Sequence, residues 1–220
     1  MSNIIMDDMN NTRDDISNLI VLSQQACRLA IKLIHDDPDS AEIVDKIKKM
    51  ERKGDKEKVR ITEDLSDIVG KLFLAGLLKR AVVCDSVVVH EGEAMLDLLD
   101  SLAENWMRIK DANPSVITDE IVVLLDSMLQ NCIVMIEKTV EALRGKEMDS
   151  HTLAFIVEVD KNINQANTKA HEVVLSMADK DKSSIIRLIR IVKSLENLGD
   201  KIKSVASYLL FIRTGEFVKV

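Results

Sequence analysis

The pattern Glu-x-x-Gly-Asp-Lys occurs twice in this chain, as Glu51-Arg52-Lys53-Gly54-Asp55-Lys56 and as Glu196-Asn197-Leu198-Gly199-Asp200-Lys201. On a helix, a Glu and an Asp four residues apart stand one turn above each other on the same face. Each copy therefore presents two carboxylates side by side. Like charges so placed are unfavourable by a few tenths of a kcal/mol, and the intervening Gly costs roughly 1 kcal/mol against Ala. A shared cation would offset the first penalty. Close approach of a neighbouring helix or a ligand to the glycine backbone would account for the second.

Six long helices are available to position these pairs. Apolar residues recur at three-four spacing from about Asp8 to His35, through Ile16, Leu19, Ile20, Ala26, Cys27, Ala30 and Leu33. A second helix is expected from Ala41 to about Phe73 with Ser40 as its cap, and a third from about Ala75 to Lys110. Thr118 caps a fourth that stops at Gly145, a fifth runs from about Ser150 to Ala178, and a sixth runs from about Lys182 to Thr214 before Gly215. Asp36-Asp37-Pro38 and Ala112-Asn113-Pro114 are the clear breaks. Short connections between long helices imply antiparallel neighbours. The expected fold is all-α, two tandem three-helix bundles over residues 1–113 and 114–220 in one elongated unit. Glu51 and Asp55 fall just off the apolar stripe of the second helix, so they flank its seam and reach solvent.

Composition narrows the function. The chain has 220 residues, 46% hydrophobic and 30% charged, with only 7 Gly and 2 Pro, as long-helix proteins do. A net charge of −7 gives no electrostatic footprint for nucleic acid. Cys27, Cys84 and Cys132 are odd in number and each sits in an apolar helical run, which fits reduced, buried thiols in the cytoplasm. The opening residues lack a basic region followed by a long apolar run, so no signal peptide is expected, and no window is long and uncharged enough to span a membrane.

The break at Pro114 leaves three helices on each side, which invites a search for a tandem repeat. Sliding the halves so that Glu51 falls on Asp160 also places Asp55 on Asn164, Ile47 on Ile156 and Leu65 on Val174. Setting Asp200 on Asp85 places Glu196 on Ala81 and Val192 on Leu77. Four sites result: Glu51/Asp55 and Glu196/Asp200 intact, Ala81/Asp85 and Asp160/Asn164 worn. Spacing alone is weak, since 37 acids in 220 positions give about six such pairs by chance on helical geometry. Glu63/Asp67 and Glu93/Asp97 also fit the spacing and have no repeat partner.

Leu195-Glu196-Asn197-Leu198-Gly199-Asp200, followed by Ile202, Val205, Ala206 and Leu210-Phe211-Ile212-Arg213-Thr214-Gly215-Glu216, resembles the closing signature of PhoU-family phosphate-transport regulators. Met50-Glu51-Arg52-Lys53-Gly54-Asp55 looks more like the shorter PhoU-related accessory proteins of Pit-type phosphate permeases. The resemblance implies a six-helix PhoU-like fold with internal pseudo-twofold symmetry and a cytoplasmic regulator of phosphate transport, peripheral at the inner face of the membrane. It also implies metal held through Glu/Asp-x-x-x-Asp motifs. Carried onto this sequence, it nominates Glu51, Asp55, Asp85, Asp160, Asn164, Glu196 and Asp200 as oxygen ligands. Ala81 cannot ligate, and Asn164 offers only a neutral oxygen. Oxygen donors suit Mg, Ca or Mn, while iron enters through the family likeness alone. The implied partner is a phosphate permease or its signalling partner, and a homo-oligomer is compatible with the broad apolar stripes.

Other constellations point away from catalysis. No His completes the Glu-x-x-His pair of di-iron bundles, and there is no phosphate-binding loop, nucleophile elbow or Cys-x-x-Cys pair. His90 could join a site near Asp85, although a solvated role is the commoner one. The basic run from Lys46 to Lys58 reads first as a solvated face and second as a docking patch for an acidic partner or anionic surface. Trp106 reads as a core plug. Two readings of the acids remain: cation sites on a regulator that acts by docking, or ion pairs with Lys across the seams of a helical adaptor. Lysines meeting Glu196 and Asp200 would favour the second, and an uncompensated cluster the first.

Overall fold

The computed structural model describes residues 2–71, 76–146, 148–177 and 181–218. Among these the chain forms six α-helices: α1 (Ser2–Ile34), α2 (Ser40–Lys71), α3 (Gly76–Ala112), α4 (Asp119–Leu143), α5 (Ser150–Ser176) and α6 (Lys182–Thr214), with one 3-10 turn at Pro114–Val116. The expected helix limits at Phe73, Ala75 and Ala178 lie outside the described residues. Helix α1 starts earlier than its apolar stripe indicates.

The ends follow from local chemistry. The Asp37 amide donates to the Lys32 carbonyl while Asp36 takes a left-handed φ of 58°, closing α1 ahead of Pro38. Thr118 accepts from the Ile121 amide, Asp149 from Thr152, and Asp181 from Ser183 and Ser184, so α4, α5 and α6 each begin on an oxygen side chain. Gly145 and Gly215 supply the left-handed residue that ends α4 and α6. Ser40 is not the cap it was expected to be. It lies within α2, and its hydroxyl donates to the Asp37 carbonyl instead of accepting from the helix.

Helices α1, α2 and α3 pack on one another, as do α4, α5 and α6. Two seams join these sets: α3 lies along α6, the most extensive contact in the molecule, and α1 lies along α4. Both seams run antiparallel. Ser17 and Arg28 of α1, and His35 just past its end, meet Arg144 at the end of α4 and Glu137 and Asp126 within it in reverse order, and Arg80, Glu91 and Asn105 of α3 meet Phe211, Lys201 and Arg187 of α6. The buried apolar side chains form one continuous core that includes the fully enclosed Trp106. Helices α2 and α5 flank it, each packing on the other two of its own set. Cys27, Cys84 and Cys132 are free and buried. Among the described residues no helix is long and apolar enough to cross a membrane.

Candidate functional site

The first acid pair sits where α2 crosses α3. Gly54 is buried there, and a Cβ on it would overlap the Leu96 Cδ1 methyl, so the missing side chain lets the two helices close. That approach brings Glu51 and Asp55 of α2 beside Asp97 and Asp100 of α3, close enough that the neighbouring charges raise Glu51 and Asp97. Partial burial, then Asp55, Asp100 and Asp97, raise the Glu51 carboxyl above its ordinary range, with Arg52 opposing. Asp97 is raised by loss of water, then by Glu93 and Asp55, against Lys58. Asp100 is raised by burial and Glu104, against Lys48 and Arg52, and its Oδ1 is buried without a hydrogen-bond partner. Lysines do come near, but Lys48 bonds Glu104 at 3.2 Å and Lys58 bonds Glu93 at 2.9 Å. None of Glu51, Asp55, Asp97 and Asp100 has an ion-pair partner among the described residues. Lys48, Arg52 and Lys58 offset part of its charge without bonding directly to any of the four carboxylates.

The second pair is built differently. Gly199 of α6 lies against α5, where a Cβ would stand 3.0 Å from Asp160 Oδ1 and 3.0 Å from Ile163 Cδ1. Asp160 is buried, and its Oδ2 accepts from Lys203 Nζ at 2.7 Å and Asn164 Nδ2 at 3.3 Å. The same ammonium reaches Asp200 Oδ1 at 3.0 Å, and Lys193 bonds Glu196. Burial works against the Lys203 charge, yet hydrogen bonds to Asp160 and Asp200 outweigh it and raise its pKa. Here one ammonium serves both Asp160 and Asp200, and a second serves Glu196.

Asp85 joins neither group. It lies twelve residues from Asp97 along α3, about 18 Å at the helical rise, and is almost fully buried with only Arg13 Nε at 3.5 Å. Burial raises its pKa to about 6 against the opposing pull of Arg13. Setting Asp85 opposite Asp200 was therefore the wrong register. Asp97 and Asp200 line one groove of about 610 Å³ between α3 and α6, with Glu91 bound to Lys201 at 2.7 Å beside them. The α3 counterpart of Glu196/Asp200 is Glu93/Asp97. The signal was present in the sequence: matching Glu93 to Glu196 also matches Val89 to Val192, Met95 to Leu198, Leu99 to Ile202 and Ala103 to Ala206, all buried. His90 is exposed and has no part in either cluster.

As placed, no three His, Cys, Asp or Glu side chains among the described residues converge tightly enough to enclose a metal ion. The α2/α3 donors nevertheless fit a hard cation chemically, being oxygen atoms to which no ammonium bonds directly among the described residues, the nearby Lys48 and Lys58 being held by Glu104 and Glu93. A cation that keeps most of its water, as Mg²⁺ does, needs only one or two carboxylates. The α5/α6 donors do not fit one, because Lys203 already holds that position.

The chain is an all-helical protein of six helices in two packed sets of three. The particular fold is that of PhoU. The structure matches PhoU from Pseudomonas aeruginosa with a TM-score of 0.85 at 16% identity, covering 98% of this chain and all of that one. It matches the phosphate transport system regulatory protein PhoU from Streptococcus pneumoniae with a TM-score of 0.84 at 16% identity and the same coverage. Residues 125–209, from α4 into α6, match the PhoU domain family. No curated protein sequence matches the chain.

Proposed function

We propose that this chain is a PhoU-type regulator of phosphate transport that acts by protein contact, in the manner of the accessory proteins of Pit-type permeases. The supporting observation is the PhoU-like fold over 98% of the chain together with the PhoU domain match at 125–209. Glu51, Asp55, Asp97 and Asp100 hold a hydrated hard cation, of which Mg²⁺, Mn²⁺ and Ca²⁺ fit the donor set, and that cation shapes the surface between α2 and α3. The work is docking and not catalysis, since neither cluster sets a nucleophile beside a base. Phosphate uptake in cells lacking the gene tests this reading. Uptake should change and return on re-expression, and the purified chain should co-purify with its cognate phosphate permease. Unchanged uptake with no permease association overturns the reading.

The α5/α6 seam favours a second reading for its own half. Lys193 and Lys203 meet Glu196, Asp160 and Asp200, as expected of a scaffold whose acids serve as ion pairs.

A further inference from the structure

We propose that Lys203 is a tethered cation that fills the second acid site, so that this chain reserves divalent-cation binding for the α2/α3 seam. The inference rests on the reading of Glu51, Asp55, Asp97 and Asp100 as a cation site. Lys203 follows Asp200 by three residues and faces the acid on α5, whereas Asp100 follows Asp97 by three residues and neighbours Glu51 on α2. One helical position thus bears a positive charge in one half and a negative charge in the other. The Lys203 side chain is only 15% exposed, and its ammonium lies 2.7 Å from Asp160 Oδ2 and 3.0 Å from Asp200 Oδ1, so it sits between carboxylates as a bound ion would. Asp160 Oδ1 lies buried without a partner, one lone-pair site left over that a single ammonium does not reach. A buried carboxylate demands a counter-charge, and here the chain supplies it covalently.

Removing the amine while keeping the stem therefore uncovers a latent site. Asp160 and Asp200, joined by the Asn164 side-chain carbonyl once its amide turns over, become an oxygen donor set for a hard divalent cation. The test counts Mn²⁺ bound per chain by equilibrium dialysis of the full-length protein, for wild type, Lys203→Met, Asp97→Asn with Asp100→Asn, and the triple variant. Lys203→Met should bind one more Mn²⁺ than wild type, keep that extra ion in the triple variant, and lose it with Asp160→Asn. Its melting temperature should fall without metal and recover with Mn²⁺. A folded Lys203→Met that binds no more than wild type overturns the proposal, even where wild type binds one ion and the α2/α3 reading stands. Wild type without Mn²⁺ beside Lys203→Met with one sinks the α2/α3 reading and upholds the role of Lys203. Should Lys203→Met fail to fold, Mn²⁺ titrated into wild type decides by paramagnetic broadening: α2/α3 signals should broaden first, and equal broadening of the Asn164 side-chain amide overturns the proposal.

Discussion

Asp97 and Asp100 are acids that the fold holds in each other's field, and the sign of that effect on stability is definite. Their folded pKa values lie above the ordinary range, so ionisation penalises the native state above the folded pKa, and the penalty disappears as pH falls through it. Asp97→Asn with Asp100→Asn should therefore stabilise the metal-free protein at pH 7. Both groups touch solvent, which screens them, so the gain is about 0.5 kcal/mol and shrinks in about 1 M salt. Urea unfolding at low and high salt reads it. Asp85 gives a sharper case, because it is enclosed and its pKa is raised to about 6. Asp85→Asn should stabilise on the order of 2 kcal/mol above pH 6, with the advantage fading as pH drops from 6 toward 4. An advantage that persisted unchanged at pH 4 would mean that the amide acts by packing and not by removing charge.

At the scale of the helices, Gly54 and Gly70 separate two meanings of glycine in α2. Alanine at Gly54 gains about 1 kcal/mol of helix propensity but forces Leu96, itself buried, out of a filled core, which costs about 1–3 kcal/mol. Nothing lies within 4 Å of a Cβ at Gly70. Gly54→Ala should therefore destabilise, and Gly70→Ala should stabilise by up to about 1 kcal/mol; thermal melts of the two variants decide. The sequence shows Gly54 to be unusual because it interrupts a helix beside two acids. The partner it makes room for is legible only from the tertiary seam. Helix limits such as Thr118, Gly145 and Gly215 can be read from local caps, since each acts within one turn of chain. The α3 motif escapes a reading anchored on Asp85, because repeat registers that differ by several residues all preserve some apolar matches. Lys203 escapes for a plainer reason: its partner Asp160 is forty-three residues away and only packing brings them together.

For the whole molecule, the two seams bear on whether the three-helix sets on either side of Pro114 are independent. Helix α3 contributes more contact to α6 than to α2, and the core passes without a break across both seams. Separating the sets would strip α1, α3, α4 and α6 of apolar cover on a long face, and neither set retains a polar surface to put in its place. Unfolding should therefore be a single cooperative transition. Trp106 provides the means to see it, because the only Trp lies in α3 of the first set, while far-ultraviolet circular dichroism reports all six helices. Coincident urea transitions by the two probes are expected, with a slope suited to the whole chain rather than half of it. A fragment spanning residues 117–218, which contains the entire PhoU domain match, should then associate or lose fixed packing when produced alone. Separate transitions would show that each set folds by itself, and the charge contrast between the two acid seams would then be a property of two domains and not of one core.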